Sequence, residues 1–299
     1  MIRVFIFNIS ILFLLSNCVK KKATLVFMTD YGTKDGAVSA MKGVAHSVDA
    51  SIAMYDITHD IPPYDIWEAA YRLHQSAIYW PAGTVFVSVI DPGVGTERKS
   101  VIMKSRSGHF FVSPDNGTLT LVADALEVEA VRQIDENIHR RSNSAQSYTF
   151  HGRDLYAYAA ARLASGKISF EKTGPLLTGT IIRLNYQKPV FENGTLKGNI
   201  PVLDIQYGNV WTNINDSLFK KLNVVTNQKV NVIIKNRDSL IYQGNVPFVN
   251  TFGGVKEAES LGYMNSLLNF SLAINMGSFA DSFHIKSGKD WSIELSKGR

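Results

Sequence analysis

The chain has 299 residues, 45% of them hydrophobic and 19% charged, with a formal net charge of +5. That length accommodates two domains with cores of their own, and the balance excludes a disordered chain. Lys and Arg are scattered with no aromatic-interleaved basic stripe, so nothing points to nucleic acid and the positive excess reads as solvated surface charge.

Residues 2–15 form an apolar run broken by Arg3, Asn8 and Ser10, which ends in Leu14-Leu15-Ser16-Asn17-Cys18. At roughly fourteen residues it is short for a membrane span and suits the apolar region of a signal peptide. Cys18, the only cysteine, stands where a lipoprotein signal places its acylated residue, although Asn17 is larger than the usual residue before it. The expectation is an exported cell-envelope lipoprotein with residues 1–18 as its signal. An uncleaved anchor and a plain signal peptide are the alternatives. Lys20, Lys21 and Lys22 would then lie at the membrane surface, where each cation adds about 1 kcal/mol of attraction to anionic lipid.

Residues 24–28 are a continuous apolar run, as in a strand buried on both faces. A helical stripe follows over 36–48, then a strand over 52–57, an amphipathic helix over 66–80 and a strand over 85–90. Residues 100–104 and 110–112 read as short strands, Asn116-Gly117 as a turn, 119–125 as a helix, and 155–165 as a helix closed by Gly166. Alternating strands and helices imply an α/β domain over 24–186: a mostly parallel sheet flanked by helices, with function at the carboxyl ends of its strands. From about residue 180 short strands (196–203, 229–235, 239–243, 267–274 and 283–285) alternate with Gly and Asn turns. They predict a smaller antiparallel β barrel or sandwich over 190–299.

Polar chemistry collects after the strands. Asp91-Pro92-Gly93-Val94-Gly95-Thr96-Glu97-Arg98 puts a carboxylate at a strand end and an arginine seven residues on, and Thr149-Phe150-His151-Gly152-Arg153-Asp154 adds an imidazole before a helix. An acid, a guanidinium and an imidazole on loops are the parts of a polar reaction site. Asp30 and Asp35 share the loop after the first strand, where a carboxylate can accept from a ribose diol, although turn chemistry accounts for them equally. The spaced glycines of a dinucleotide loop and a Walker loop are both missing from the sequence. His59-Asp60 lacks a second ligand cluster at metal spacing and is expected to position a loop. The stretch 204–213, with Asp204, Tyr207, Asn209 and Trp211, offers amides, a carboxylate and aromatics to a purine and an amino-acid group. It reads equally well as an edge-strand turn with Trp211 in the core.

In order along the chain, Thr-Asp-x-Gly, Asp-Pro-Gly-Val-Gly-Thr, Pro-Asp-Asn-Gly, Thr-Phe-His-Gly-Arg-Asp and Tyr-Gly-Asn resemble the S-adenosylmethionine hydroxide adenosyltransferase family. The fluorinating and chlorinating enzymes are related to that family, and the resemblance runs from Thr24 to Ala280. It implies an α/β domain followed by a β barrel, and a homotrimer that holds each ligand between one chain's N-terminal domain and a neighbour's barrel. It implies that Asp91, Arg98 and His151 are the reactive trio, that Asp30 binds the ribose and that Asp35 lies near the methionine part. Thr149 and Phe150 would line the reacting region, with Tyr64 as an aromatic wall. Asp204 and Ser266 would meet the amino-acid end, and Tyr207, Asn209 and the backbone at Asn275-Met276 the adenine.

The halogenating relatives carry tyrosine where His151 stands and lack the Asp91 carboxylate; the fluorinating branch has serine at Gly152 and arginine at Leu267. The resemblance therefore implies the water-using branch, in which S-adenosylmethionine and water give adenosine and methionine by in-line attack at the ribose 5′ carbon, with no metal or cofactor. A halide-using enzyme and a non-catalytic envelope protein that binds adenosyl compounds are the alternatives.

Overall fold

The structure, a computed structural model, describes residues 22–179 and 181–298. Cys18 and the signal-like segment lie outside the described residues.

The N-terminal half contains β1 (Leu25–Thr29), α1 (Ala37–Val48), β2 (Met54–Thr58), α2 (Ile66–Ala77), β3 (Val85–Val89), β4 (Ser100–Ser105), β5 (Phe110–Pro114), α3 (Thr120–Ala125), β6 (Val128–Gln133) and α4 (Glu136–His139). A π-helical turn, Gly152–Ala157, leads directly into α5 (Tyr158–Ala164). The six strands form one sheet in the order β2-β1-β3-β5-β4-β6. β1 and β3 are buried along their whole length, which is why they read as unbroken apolar runs. Alternate side chains divide between the faces. Leu25, Phe27, Val85 and Val87 pack under α1, the π turn and α5, and Val26, Met28 and Phe86 under α2 and α3.

β1, β2, β3 and β5 are parallel, while β4 runs against both β5 and β6. Only four residues join β4 to β5, and a connection that short can only return antiparallel. Gly108 (φ +85) makes that turn. β6 and α4 were not foreseen: β6 is an edge strand with scattered polar residues, and α4 is too short to show a helical period. The helix expected from 155 starts three residues earlier as the π turn. It closes where foreseen, with Gly166 (φ +74) donating its N–H to the Leu163 carbonyl at 3.0 Å.

The C-terminal half contains β7 (Val190–Glu192), β8 (Thr195–Asn199), β9 (Val202–Asp204), β10 (Asn209–Asn215), α6 (Asp216–Phe219), β11 (Lys229–Asn236), β12 (Ser239–Pro247), β13 (Ser260–Met264), β14 (Asn269–Ile274), α7 (Phe279–Ser282) and β15 (Trp291–Lys297). They form two antiparallel sheets, β13-β14-β10-β9 and β12-β11-β15-β8-β7. Leu196, Val210, Val232, Phe270, Leu272 and Ile293 from both sheets share one core.

The expected barrel is thus corrected: neither ladder closes on itself, and the two open sheets face each other across the core. The single strand expected over 196–203 is two, because Pro201 has no N–H to give a ladder. β8 joins one sheet and β9 the other. Residues 283–285 are not a strand; they follow α7, with Ile285 buried. Residues 209–213, read from sequence as part of a loop, are strand, with Trp211 buried. The two halves meet where the Trp67 Nε1–H donates to the Pro201 carbonyl at 2.8 Å and Arg72 Nη2 to the Leu203 carbonyl at 3.0 Å.

Candidate active site

The carboxyl ends of β1 and β3 lie side by side in the sheet, so the loops after them emerge together. After β3 the chain turns tightly: Val94 N–H donates to the Asp91 carbonyl at 3.2 Å and Thr96 N–H to the Gly93 carbonyl at 3.1 Å, with Gly95 at φ +78. The turn brings Arg98 back onto Asp91. Nε donates to Oδ1 at 2.9 Å and Nη2 to Oδ2 at 2.5 Å, a forked pair whose side chains are 10% and 5% exposed. Nη2 also donates to His151 Nδ1 at 2.8 Å, and Nη1 to Ser100 Oγ at 3.0 Å. The structure therefore joins Asp91 and His151 through Arg98, which contacts both.

A guanidinium has only donors, so Nδ1 of His151 must accept and the neutral ring carries its proton on Nε2. That Nε2 is buried with no hydrogen-bond partner among the described residues. Burial, then the charges of Arg140 and Arg98, push the His151 pKa below its ordinary 6.5, against the opposing pull of Glu136 and Asp91. Burial opposes the Arg98 charge, but its bonds to Asp91 outweigh that and raise its pKa.

Around the trio, Asp30 Oδ2 accepts from the Tyr64 N–H at 3.0 Å, and Tyr64 itself (φ +68) is 70% exposed. Tyr31 packs edge-on against Phe150, with ring centres 5.8 Å apart. Burial and then the charges of Asp30 and Asp91 hold its hydroxyl pKa well above the ordinary value. A Cβ at Gly152 would come within 2.6 Å of Tyr31 Oη. Thr149 Oγ1 lies 3.3 Å from Ser147 Oγ. Asp35 is exposed, and its Oδ1 accepts from the Ala37 N–H at 2.9 Å as α1 begins. His59 positions the loop: its Nδ1 meets Thr29 Oγ1 at 2.8 Å and its carbonyl accepts from the Gly32 N–H at 2.7 Å.

The C-terminal candidates gather elsewhere. A cavity of about 610 Å³ is lined by residues 205–209, Phe252, residues 274–278 and Asp281, and so includes Tyr207, Asn209, Asn275 and Met276. Asp204 supports it from behind, accepting from Asn209 Nδ2 at 3.1 Å. Gly208 (φ +66) is required there, because a Cβ would fall 1.9 Å from Ser278 Oγ. Neither Ser266 nor any residue of the trio lines this cavity. Ser266 sits in the β13–β14 turn, beside Leu267, which packs with Tyr71, Val202 and Trp211. A larger polar groove of about 840 Å³, lined by Asp65, Trp67, Arg237 and Asp290 among others, also excludes the trio's residues.

Sequence reasoning missed four side chains at the trio: Tyr31, Ser100, Glu136 and Tyr156. Tyr31 lay inside a quoted motif and Ser100 two residues after Arg98. Glu136 carried no local signal, since α4 was not foreseen.

Comparison with known proteins agrees with this layout. Residues 25–174 match the SAM hydroxide adenosyltransferase N-terminal domain and residues 198–292 the corresponding C-terminal domain. The chain is 33% identical over 263 residues to the (R)-S-adenosyl-L-methionine hydrolase of Salinispora tropica, covering 88% of this chain and 94% of that one. It is 40% identical over 143 residues to the enzyme of the same name from Methanocaldococcus jannaschii, a match to 46% of this chain and about half (52%) of that relative. An uncharacterized conserved protein from Thermotoga maritima has a crystal structure that superposes with a TM-score of 0.84 at 34% identity, covering 92% of this chain and all of that one.

Proposed function

Because this chain belongs to the SAM hydroxide adenosyltransferase family, we propose that it hydrolyses S-adenosylmethionine to adenosine and methionine. The observation that carries the reading is the contact set of Asp91, Arg98 and His151. The sulfonium leaves as a neutral thioether and needs no acid, so the site has to supply an oxygen nucleophile. Water attacks the ribose 5′ carbon in line with the departing sulfur, and its proton passes to Asp91. The Nδ1 lone pair of His151 is engaged by Arg98, whereas each Asp91 oxygen keeps a lone pair free after accepting from Arg98. The Nε2–H of His151 and the Arg98 charge steady the oxygen as it attacks. General-base help of this kind contributes about 10²–10⁴-fold.

Gly152 and Asp91 favour water over halide. A serine at 152 would drive its Cβ to 2.6 Å from Tyr31 Oη and 3.3 Å from Met41 Sδ. A carboxylate at 91 repels a halide from the place where it would attack.

In the substrate assignment, Asp30 receives the ribose diol beside Tyr64, Thr149 and Phe150, and Asp35 lies towards the methionine end. Tyr207, Asn209 and the backbone of Asn275 and Met276 hold adenine, with Asp204 and Ser266 at the amino-acid end. Since the trio and the cavity lie on different parts of one chain, a homotrimer that joins one chain's trio to its neighbour's cavity completes the site. The exported lipoprotein is likewise a proposal, supported by residues 1–18 alone. Labelled palmitate supplied to expressing cells should mark the wild type and not Cys18→Ala; equal labelling would overturn it.

The reaction is tested by incubating the protein with both sulfonium epimers of S-adenosylmethionine in ¹⁸O-water. Adenosine labelled at the 5′ oxygen is expected. Unlabelled adenosine, a 5′-halo nucleoside in its place, or no product from either epimer would overturn the reading.

A further inference from the structure

A second tier of side chains contacts the trio, and Glu136, at the start of α4, ties it together. Glu136 Oε1 accepts from Ser100 Oγ at 3.1 Å, and Oε2 accepts from Arg140 Nη2 at 3.1 Å. Oε2 is also 3.9 Å from Nε2 of His151, the ring nitrogen that has no hydrogen-bond partner. Ser100 Oγ meets Tyr156 Oη at 3.1 Å and accepts from Arg98 Nη1 at 3.0 Å.

A hydroxyl has one hydrogen and two lone pairs. If Ser100 gives its hydrogen to Glu136, it has one lone pair for the Arg98 N–H and one for the Tyr156 O–H, and all three contacts are satisfied at once. That arrangement needs Glu136 Oε1 to be the acceptor, as a carboxylate oxygen can be. Tyr156, fully buried, remains a neutral donor, since burial pushes its pKa far above the ordinary value.

We propose that Glu136 is a positioning residue for the reactive trio, orienting Arg98 through Ser100 and holding His151 as the Nε2–H tautomer across the 3.9 Å gap. The assignment deepens the hydrolase reading and rests on it for its kinetic consequence. With Arg98 on Nδ1 and a carboxylate facing Nε2, the ring has one stable way to carry a single proton. The Nε2–H is then aimed before substrate arrives. Arg140 fixes Glu136 in turn, and its guanidinium lies 5.2 Å from the centre of the Tyr148 ring, which packs edge-on against His151. The charged groups facing His151 are therefore Asp91, Arg98, Glu136 and Arg140, with Tyr148 the remaining titratable neighbour.

The test compares the wild type with Glu136→Gln, which keeps shape and loses charge, and with Glu136→Asp. In ¹⁵N-histidine spectra of the full chain, the wild type should show the His151 ring as the Nε2–H tautomer. Glu136→Gln should mix the tautomers and lower the pH at which the ring protonates, because the carboxylate favours the imidazolium. Turnover in Glu136→Gln should fall about tenfold in kcat with KM unchanged, and its acid limb should move to lower pH. Glu136→Asp should recover part of both. Unchanged His151 signals with unchanged kcat would overturn the inference, and so would a change in KM alone, which would put Glu136 against substrate. Failure of the wild type to turn over S-adenosylmethionine would overturn the hydrolase reading while leaving the ring spectra to decide the role of Glu136.

Discussion

Two histidines in this chain meet an arginine in the same way and differ in one bond. His139 accepts from Arg162 Nη1 at Nδ1 (2.9 Å), and its Nε2–H is taken up by the Lys172 carbonyl at 2.9 Å. His151 accepts from Arg98 at Nδ1, and its Nε2–H has no protein acceptor within hydrogen-bond reach. The first is locked into the fold, whereas the second keeps a buried Nε2–H that no described residue takes up, with Glu136 Oε2 3.9 Å away.

Both rings, together with His74, have pKa values below the ordinary 6.5, burial being the largest cause in each case. In the unfolded chain these imidazoles take up protons as pH falls through about 6.5, while in the folded chain they resist. Stability is therefore fully present above that pH and lost as pH falls through the depressed folded values. Urea midpoints measured from pH 7.5 downward should fall below about 6.5, and His74→Gln, remote from the site, should flatten the slope. An identical slope in that variant would remove His74 from the account.

At the scale of elements, the π-helical turn Gly152–Ala157 aims the site. It starts directly after His151 and carries Tyr156 to Ser100. Asp154, whose side chain is fully buried, receives Arg153 at 2.7 Å and Arg141 at 3.1 Å, pinning the loop before His151 to the helix that follows it. Such turns insert one extra residue per turn and occur frequently at functional sites.

Gly152 opens this turn against Tyr31. Gly152→Ser should cost about 1–3 kcal/mol by overpacking, read from the urea midpoint. Tyr31→Phe in the same chain should recover only part, since a ring carbon stays 3.1 Å from the new Cβ. No loss of stability in Gly152→Ser would show that the pocket has room for a hydroxyl.

The same elements show what the sequence made legible. Strands buried on both faces are plain, as β1 and β3 attest, and so are the loop positions of Asp91, Arg98 and His151 and the positive-φ Gly166. Three kinds of element were hidden. Edge strand β6 has weak patterning. α4 spans one turn. β10 carries Asn209, Thr212 and Asn213, which read as loop, yet Thr212 is buried with its hydroxyl donating to the Phe270 carbonyl at 2.7 Å. Tertiary hydrogen bonds of that kind leave no periodic trace. Glu136 was invisible for a related reason: it is 38 residues from Arg98 in sequence and reaches it through Ser100 in the fold.

At the scale of the whole molecule, the cavity presents Ile205, Tyr207 and Met276 at 77%, 66% and 85% exposure, so a lone chain leaves apolar side chains in water. The proposed site shared between neighbours would cover them, and it predicts complementation. Asp91→Ala damages one half of each site and Met276→Lys the other. Co-assembled from equal amounts of these two chains, a trimer should recover about a quarter of wild-type activity, because one junction in four joins two intact halves. No recovery in mixed assemblies, or a monomer by light scattering, would place the whole site within one chain.

Pro201 sends β8 into one sheet and β9 into the other, and its own carbonyl is the one gripped by Trp67. The peptide that divides the two sheets therefore also sets the angle between the halves of the chain. In the proposed ring of three identical subunits, that angle would enter the closure condition three times. An error of a few degrees at one joint would leave a gap that no single interface could absorb. In the proposed trimer Trp67, Arg72 and Pro201 would thus act as an angular gauge, and a change there would reach the chemistry as a misfit between neighbours rather than as damage to any residue that touches substrate.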